Sequence, residues 1–214
     1  KRLIRPMSFI GTRLQKRKNL TPFIKASMPL FRLSDAALAL LPMNPFHKKV
    51  PSTTGEDLSV EMLLECIDRF SKNRMLRPSY DTASLKWLID VLTREQRWGS
   101  LQKMAVRNSR GDVLGWYIYH LNTSGASEVL QVGANDNTLS DVLDHLFYDA
   151  WTKGAIELEG RLKPDYMKEF TRKFSIFIPG RDWMLVHSNV PGLLAAIYNA
   201  DAWLTRLEGD LWFF

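Results

Sequence analysis

Three charged side chains stand where a covered strand would be apolar. In AIELEGR (155–161), Glu157, Glu159 and Arg161 alternate with Ile156 and Leu158. The two-residue period of a strand puts all three on one face. A strand covered on both sides reads as a nearly continuous apolar run, so carboxylates there need cations, water or a substrate amine as partners. Beside an amine, Glu157 or Glu159 can act as general base. Glu128, in the strand-like run SEVLQVG (127–133), can add a further carboxylate. The alternative is a solvated face, or a pair between Glu159 and Arg161.

A second constellation is QVGANDNT (131–138), an apolar strand that runs into a helix. Backbone N–H groups over Gln131, Val132, Gly133, Ala134, Asn135, Asn137 and Thr138 can cradle a phosphate at the positive end of the helix. The same residues can simply cap it. Asp136, Asn137 and Thr138 are good N-cap types, and Asp141 complements the helix dipole. Asp136 and Asp141 would also repel a pyrophosphate, and no Lys or Arg lies between Ser127 and Lys153. Tyr166, in PDYMKEFTRKF, can supply a proton to a leaving group or only pack.

Regular elements must position these groups. Val60, Leu63, Leu64, Ile67 and Phe70 follow helical spacing, with Thr53 and Glu56 spaced as a capping box before them. Asp81 can cap a second helix, whose Leu85, Leu88, Ile89 and Leu92 share a face. KMAVRN and VLGWYIYHL read as a hairpin around SRGD. After SEVLQVG, the stripe Leu139, Val142, Leu143, Leu146, Phe147 and Ala150 predicts a helix that ends at Gly154. DWMLVHS (182–188) and RLEGDLWFF (206–214) read as closing strands, with a helix over PGLLAAIYN. A strand–helix–strand crossover of this length implies a parallel pair. The fold class is therefore α+β, a mixed and mostly antiparallel sheet with a central parallel crossover and helices on both faces.

Composition bounds the function. The chain has 214 residues, 45% hydrophobic and 24% charged, ordinary for a globular protein with a core. Eleven Lys and Arg and a single acid, Asp35, fall in the first 49 residues. Prolines 6, 22, 29, 42 and 45 interrupt that stretch, so residues 1–50 read as a basic arm or interdomain linker without long regular elements. Residues 51–214 read as the folded domain. No nucleic-acid motif accompanies the charge, which argues against a nucleic-acid partner. No apolar run approaches the ~20 residues of a membrane span, and the expected location is the cytoplasm. Cys66, the one cysteine, sits among apolar residues as a structural thiol. The four histidines have no metal-site spacing. Nucleophile-elbow, Walker and Rossmann patterns are missing.

In this element order, GDVLGWYIYHL, the strand–loop–helix around Gly133 and DAWTKGAIEL resemble the GNAT acyltransferase superfamily over about residues 55–214. The ending DAWLTRLEGDLWFF resembles the second half of tandem GNAT-like proteins, some close to the Fem-type aminoacyl transferases. The family loop has the form Q/R-x-x-G-x-G/A. Here Gly133 lies one place early and Asp136 replaces a small residue. The resemblance implies transfer of an acyl group from acetyl-CoA or another acyl-CoA to an amine on a small molecule or peptide, without a metal. Aminoacyl-tRNA is the donor in the Fem-type branch. It places a general acid near Tyr166 or Phe170. A catalytically silent GNAT-like domain, supporting an active GNAT-like domain N-terminal to Lys1, is the other reading.

Overall fold

The computed structural model describes residues 1–15, 21–178 and 186–208. Its centre is a six-stranded sheet in the order β1-β6-β5-β4-β3-β2. The strands are β1 (Arg2–Leu3), β2 (Thr54–Asp57), β3 (Ser100–Arg107), β4 (Val113–Leu121), β5 (Ala126–Ala134) and β6 (Glu157–Gly160). Every neighbouring pair is antiparallel except β5 and β6, which run parallel. The mixed α+β sheet expected from the element order is present. The crossover between the parallel strands is α5 (Leu139–Thr152), and Gly154 follows it at φ +90°, the left-handed backbone that favours glycine at a helix end.

Each sheet face has its own core. Under α5, Tyr117, Tyr119, Val132, Leu143, Leu146 and Leu158 are buried together. The opposite face is covered by α3 (Val60–Ser71) and α4 (Thr82–Arg94), with Trp116, Ile118 and Leu130 at its centre. Trp116 stacks on Trp203 at 5.8 Å between centroids and meets the edge of Phe70 at 5.4 Å. Asp81 caps α4 as expected, accepting from Ser84 N at 2.7 Å, and Leu85, Leu88, Ile89 and Leu92 are all buried.

Two local expectations are corrected. Residues 53–56 do not open α3, because Ser59 is its N-cap and accepts from Met62 N. Thr54–Asp57 instead forms edge strand β2, held to β3 by Glu56–Arg107 and Asp57–Lys103 ion pairs at 2.6 Å. The first fifty residues are also not an irregular arm. They hold β1, α1 (Pro6–Gln15) and the long α2 (Thr21–Leu40). Pro6 and Pro22 sit in first turns, where a missing N–H costs nothing, and Pro42 and Pro45 follow the end of α2. Of the prolines in this stretch, only Pro29 lies in a helix beyond its first turn. Asp35 is buried and accepts from Met7 N, Ser8 N and Ser8 Oγ at 2.6–2.9 Å, so the arm's one acid caps α1 and pins it to α2. Arg2 and Leu3 pair with Leu158 and Glu157, making the chain start the outer edge of the sheet.

Towards the C-terminus, α6 spans Met167–Arg172, and α7 (Pro191–Tyr198) matches the helix read over PGLLAAIYN. Of the strand expected over DWMLVHS, residues 182–185 lie outside the described residues, and 186–188 form no regular element. Of RLEGDLWFF, Arg206–Glu208 is a 3-10 turn rather than strand, and the remainder lies outside the described residues.

Candidate functional site

A bulge and a premature strand end open the site. The β4–β5 register passes from Ile118↔Gln131 to Tyr119↔Val129, so Leu130 is an extra residue and β5 bends there. Pairing between β5 and β6 stops at Val129↔Gly160. Beyond it β5 continues to Ala134, while the other strand turns away through Arg161–Lys163 into a 3-10 turn, Pro164–Tyr166. The wedge between them is a cleft of about 70 Å³. Its walls include Val132, Leu146, Phe147, Leu162 and Phe170, with Lys1, Arg2, Glu159, Arg161, Lys163 and Tyr166 among the polar groups.

The charged strand is largely neutralised. Glu157 is buried, with Lys1 Nζ at 3.0 Å and Arg13 Nη2 at 3.5 Å. Lys1 also contacts Glu159, and Glu128 pairs with Arg206. Burial works against the Lys1 ammonium, yet the hydrogen bonds it donates to Glu159 and Glu157 outweigh it and hold its pKa above the usual lysine value. Glu159 is the more exposed of the two and reaches the cleft. Glu157 faces a separate small pocket beside Phe9 and Arg13. The structure therefore brings Glu159, Arg161 and Tyr166 around one cleft and leaves Glu157 outside it.

The loop residues separate in the same way. Gln131 Oε1 accepts from Trp116 Nε1 at 2.7 Å, and its Nε2 donates to Glu208 at 3.0 Å and Thr205 at 3.3 Å. Burial raises the Glu208 pKa, against hydrogen bonds from Thr205 and Tyr80. Val132 lines the cleft. Gly133 lies within β5, and a Cβ on it would fall 2.2 Å from the Trp116 ring. Its lack of a side chain lets the indole lie on the strand. Ala134 is bound at both backbone groups by Tyr166, whose hydroxyl accepts from Ala134 N at 3.2 Å and donates to Ala134 O at 2.9 Å. Burial lifts the Tyr166 pKa to about 12. Asn135 and Asn137 are exposed. Thr138 is the N-cap residue of α5, but its hydroxyl donates to Leu114 O at 2.7 Å rather than accepting from the helix.

Two of the solved structures similar to this chain are acetyltransferases. One is an acetyltransferase from Trypanosoma brucei, 12% identical, with a TM-score of 0.45 over 63% of this chain and 99% of that one. The other is glucosamine-6-phosphate N-acetyltransferase from Arabidopsis thaliana, 7% identical, with a TM-score of 0.43 over 64% and 99%. No protein-family model and no curated protein sequence matches the chain.

Sequence reasoning passed over Lys163. It is 9% exposed, and its Nζ has no hydrogen-bond partner. The ammonium rests 3.6 Å from the Trp203 ring centroid and 4.7 Å from that of Tyr166. Burial lowers its pKa to about 8, helped by Arg74 and opposed by Asp165, Glu208 and Asp136. A charged residue between Leu162 and Pro164 carries no periodic signal. The one available hint was a lysine leaving a core strand just before a proline-started turn. Of the histidines, buried His120 lies 3.2 Å from Leu92 O and His145 2.9 Å from the Tyr117 hydroxyl. No cluster of metal-ligating side chains occurs among the described residues, and no helix among them is long and apolar enough to cross a membrane.

Proposed function

We propose that the wedge between β5 and β6 is the reaction site of a cytoplasmic N-acyltransferase that takes an acyl group from acyl-CoA to an amine on a small molecule or peptide. The observation that carries this reading is the parting of two parallel strands at Gly160, which leaves the Leu130–Val132 edge of β5 facing an apolar cleft. Backbone N–H groups on such an edge can hold a thioester oxygen as charge builds on it. The cleft fits the acyl end of a thioester. The loop fits the phosphate end poorly, because Asp136 is exposed there and Gly133 is committed to Trp116.

In this reading Glu159 takes the proton from the attacking amine, and Arg161 helps set the charge around it. Tyr166 holds the end of β5 through Ala134 and acts as a positioning residue. A thioester bound here supplies an activated carbonyl. The residues above orient it, exclude water and move the proton. The pairing of all three strand carboxylates with cations favours a second reading, in which this is a silent GNAT-like domain that supports an active partner domain.

Calorimetric titration of acetyl-CoA at low salt, followed by an acetylation assay with a panel of amines, separates the two. Micromolar binding with turnover supports the enzyme, and binding without turnover supports the silent domain. If acetyl-CoA does not bind, the acyltransferase reading of this domain fails.

A further inference from the structure

Lys163 is out of keeping with the other cations around it. Lys1, Arg74 and Arg206 each face a carboxylate, from Glu157 and Glu159, Asp165 and Glu128 respectively. The Lys163 ammonium has only two aromatic faces and no hydrogen-bond acceptor, although it is more than nine-tenths buried. Desolvating an ammonium without an acceptor is costly, and rings replace only part of its hydration. Lys163 also lines the cleft itself. The lining also holds Lys1, engaged by Glu157 and Glu159, Arg2, whose guanidinium donates to the Phe174 and Pro45 carbonyls, and Arg161. In Lys163 an entering anion would meet an ammonium with all its donors unused.

The remaining groups narrow the ligand. The carboxylates of Asp136, Asp165 and Glu208 contribute to the potential at Lys163, and Arg74 is the opposing cation. These carboxylates, with Glu159 in the cleft wall, work against a second negative charge on the ligand, which favours a monoanion over a phosphate dianion. A cleft of about 70 Å³ with apolar walls has room for a carboxylate and a few carbons, a few water volumes in all. We infer that the β5–β6 cleft binds a carboxylate group, which Lys163 holds through a charge-assisted hydrogen bond, so that one of the substrates is a carboxylic acid. Binding needs no CoA. The acyltransferase reading enters only in assigning the carboxylate to the acyl donor or to the amine acceptor.

The test is an amide NMR titration of the protein with sodium propionate, and with propionamide as the neutral isostere, at fixed ionic strength. Propionate is expected to shift the amides of Val129–Val132 and of Lys163, Asp165 and Tyr166 saturably, and propionamide to leave them in place. Lys163→Met, which keeps the stem in contact with the rings, should weaken propionate at least tenfold, and Lys163→Arg should retain it. Only the ammonium form binds, so raising the pH from 7 to 9 should weaken propionate about tenfold in the wild type, as the competent fraction falls. This arm stands even if the Met variant does not fold. Equal responses to propionate and propionamide, or affinity that is flat with pH, would overturn the inference. Displacement of propionate by succinyl-CoA but not acetyl-CoA assigns the acid to the donor. Displacement by β-alanine but not methylamine assigns it to the acceptor. Because propionate is titrated without CoA, failure here is distinct from failure of acetyl-CoA to bind.

Discussion

The two halves of β5 treat charge in opposite ways. Up to Val129 the strand is paired with β6, and the carboxylates of Glu128, Glu157 and Glu159 all have cations. Beyond Val129 the strands part, and the nearby buried cation, Lys163, has no acceptor. Where the backbone is closed the side chains are electrically complete. Where it opens, a charge is held ready for something else. A fold under pressure for stability alone would have a Met or Leu at 163, and this difference is what the proposed site in the open half rests on.

The comparison can be broken first at Gly133, whose open-half backbone carries Trp116. Gly133→Ala is expected to cost about 3 kcal/mol, because the ring is clamped between Phe70 and Trp203 and cannot retreat. Urea denaturation would show it, and a loss under 1 kcal/mol would mean the strand itself yields. Tyr166→Phe comes next. It leaves Ala134 N and O without their partner and should cost about 2 kcal/mol, with the site's geometry loosened more than its charge.

The sharpest contrast is in sign. Lys163→Met should stabilise the protein by about 1–3 kcal/mol at pH 7, a rise of a few degrees in melting temperature. The folded pKa of about 8 lies below the 10.5 of the unfolded lysine. Between these values the unfolded chain keeps a proton that the native state has lost, so wild-type stability rises with pH across that window. The advantage of the Met variant should shrink accordingly as pH goes from 8 to 10.5, and a constant advantage would contradict the buried-charge account. In the closed half, Glu157→Gln should destabilise by about 1 kcal/mol, since it strips Lys1 and Arg13 of a partner. Stabilisation by this variant would erase the distinction between the halves.

Periodic features of the chain were legible from sequence. The Asp81 cap, the β3–β4 hairpin, the α5 stripe and the crossover into β6 all depend on residues within a few positions of each other. The polar edge strand β2 was not, because its stability comes from ion pairs to Arg107 and Lys103, some fifty residues away in sequence. The helices of the first fifty residues were hidden by counting prolines without asking which sit in first turns. In the site, alternation correctly set Glu157 and Glu159 on one face of β6. Which of them reaches the cleft was decided by α1 and Lys1, contacts over about 150 residues that local pattern cannot report. Gln131 read as part of a loop, yet its partner Glu208 lies 77 positions downstream.

The two-residue strand β1 has a consequence for how the molecule is made. It covers the outer edge of β6, so Arg2 and Leu3, made earlier in synthesis, wait for the residues around Leu158 before they can dock. Until then β6 presents a bare row of backbone donors and acceptors. An uncovered edge is a template for a neighbouring chain. Closing a loop of this length adds little free energy but slows the final step. Aggregation during expression, rather than the midpoint of unfolding, is where damage to Arg2 and Leu3 should appear first.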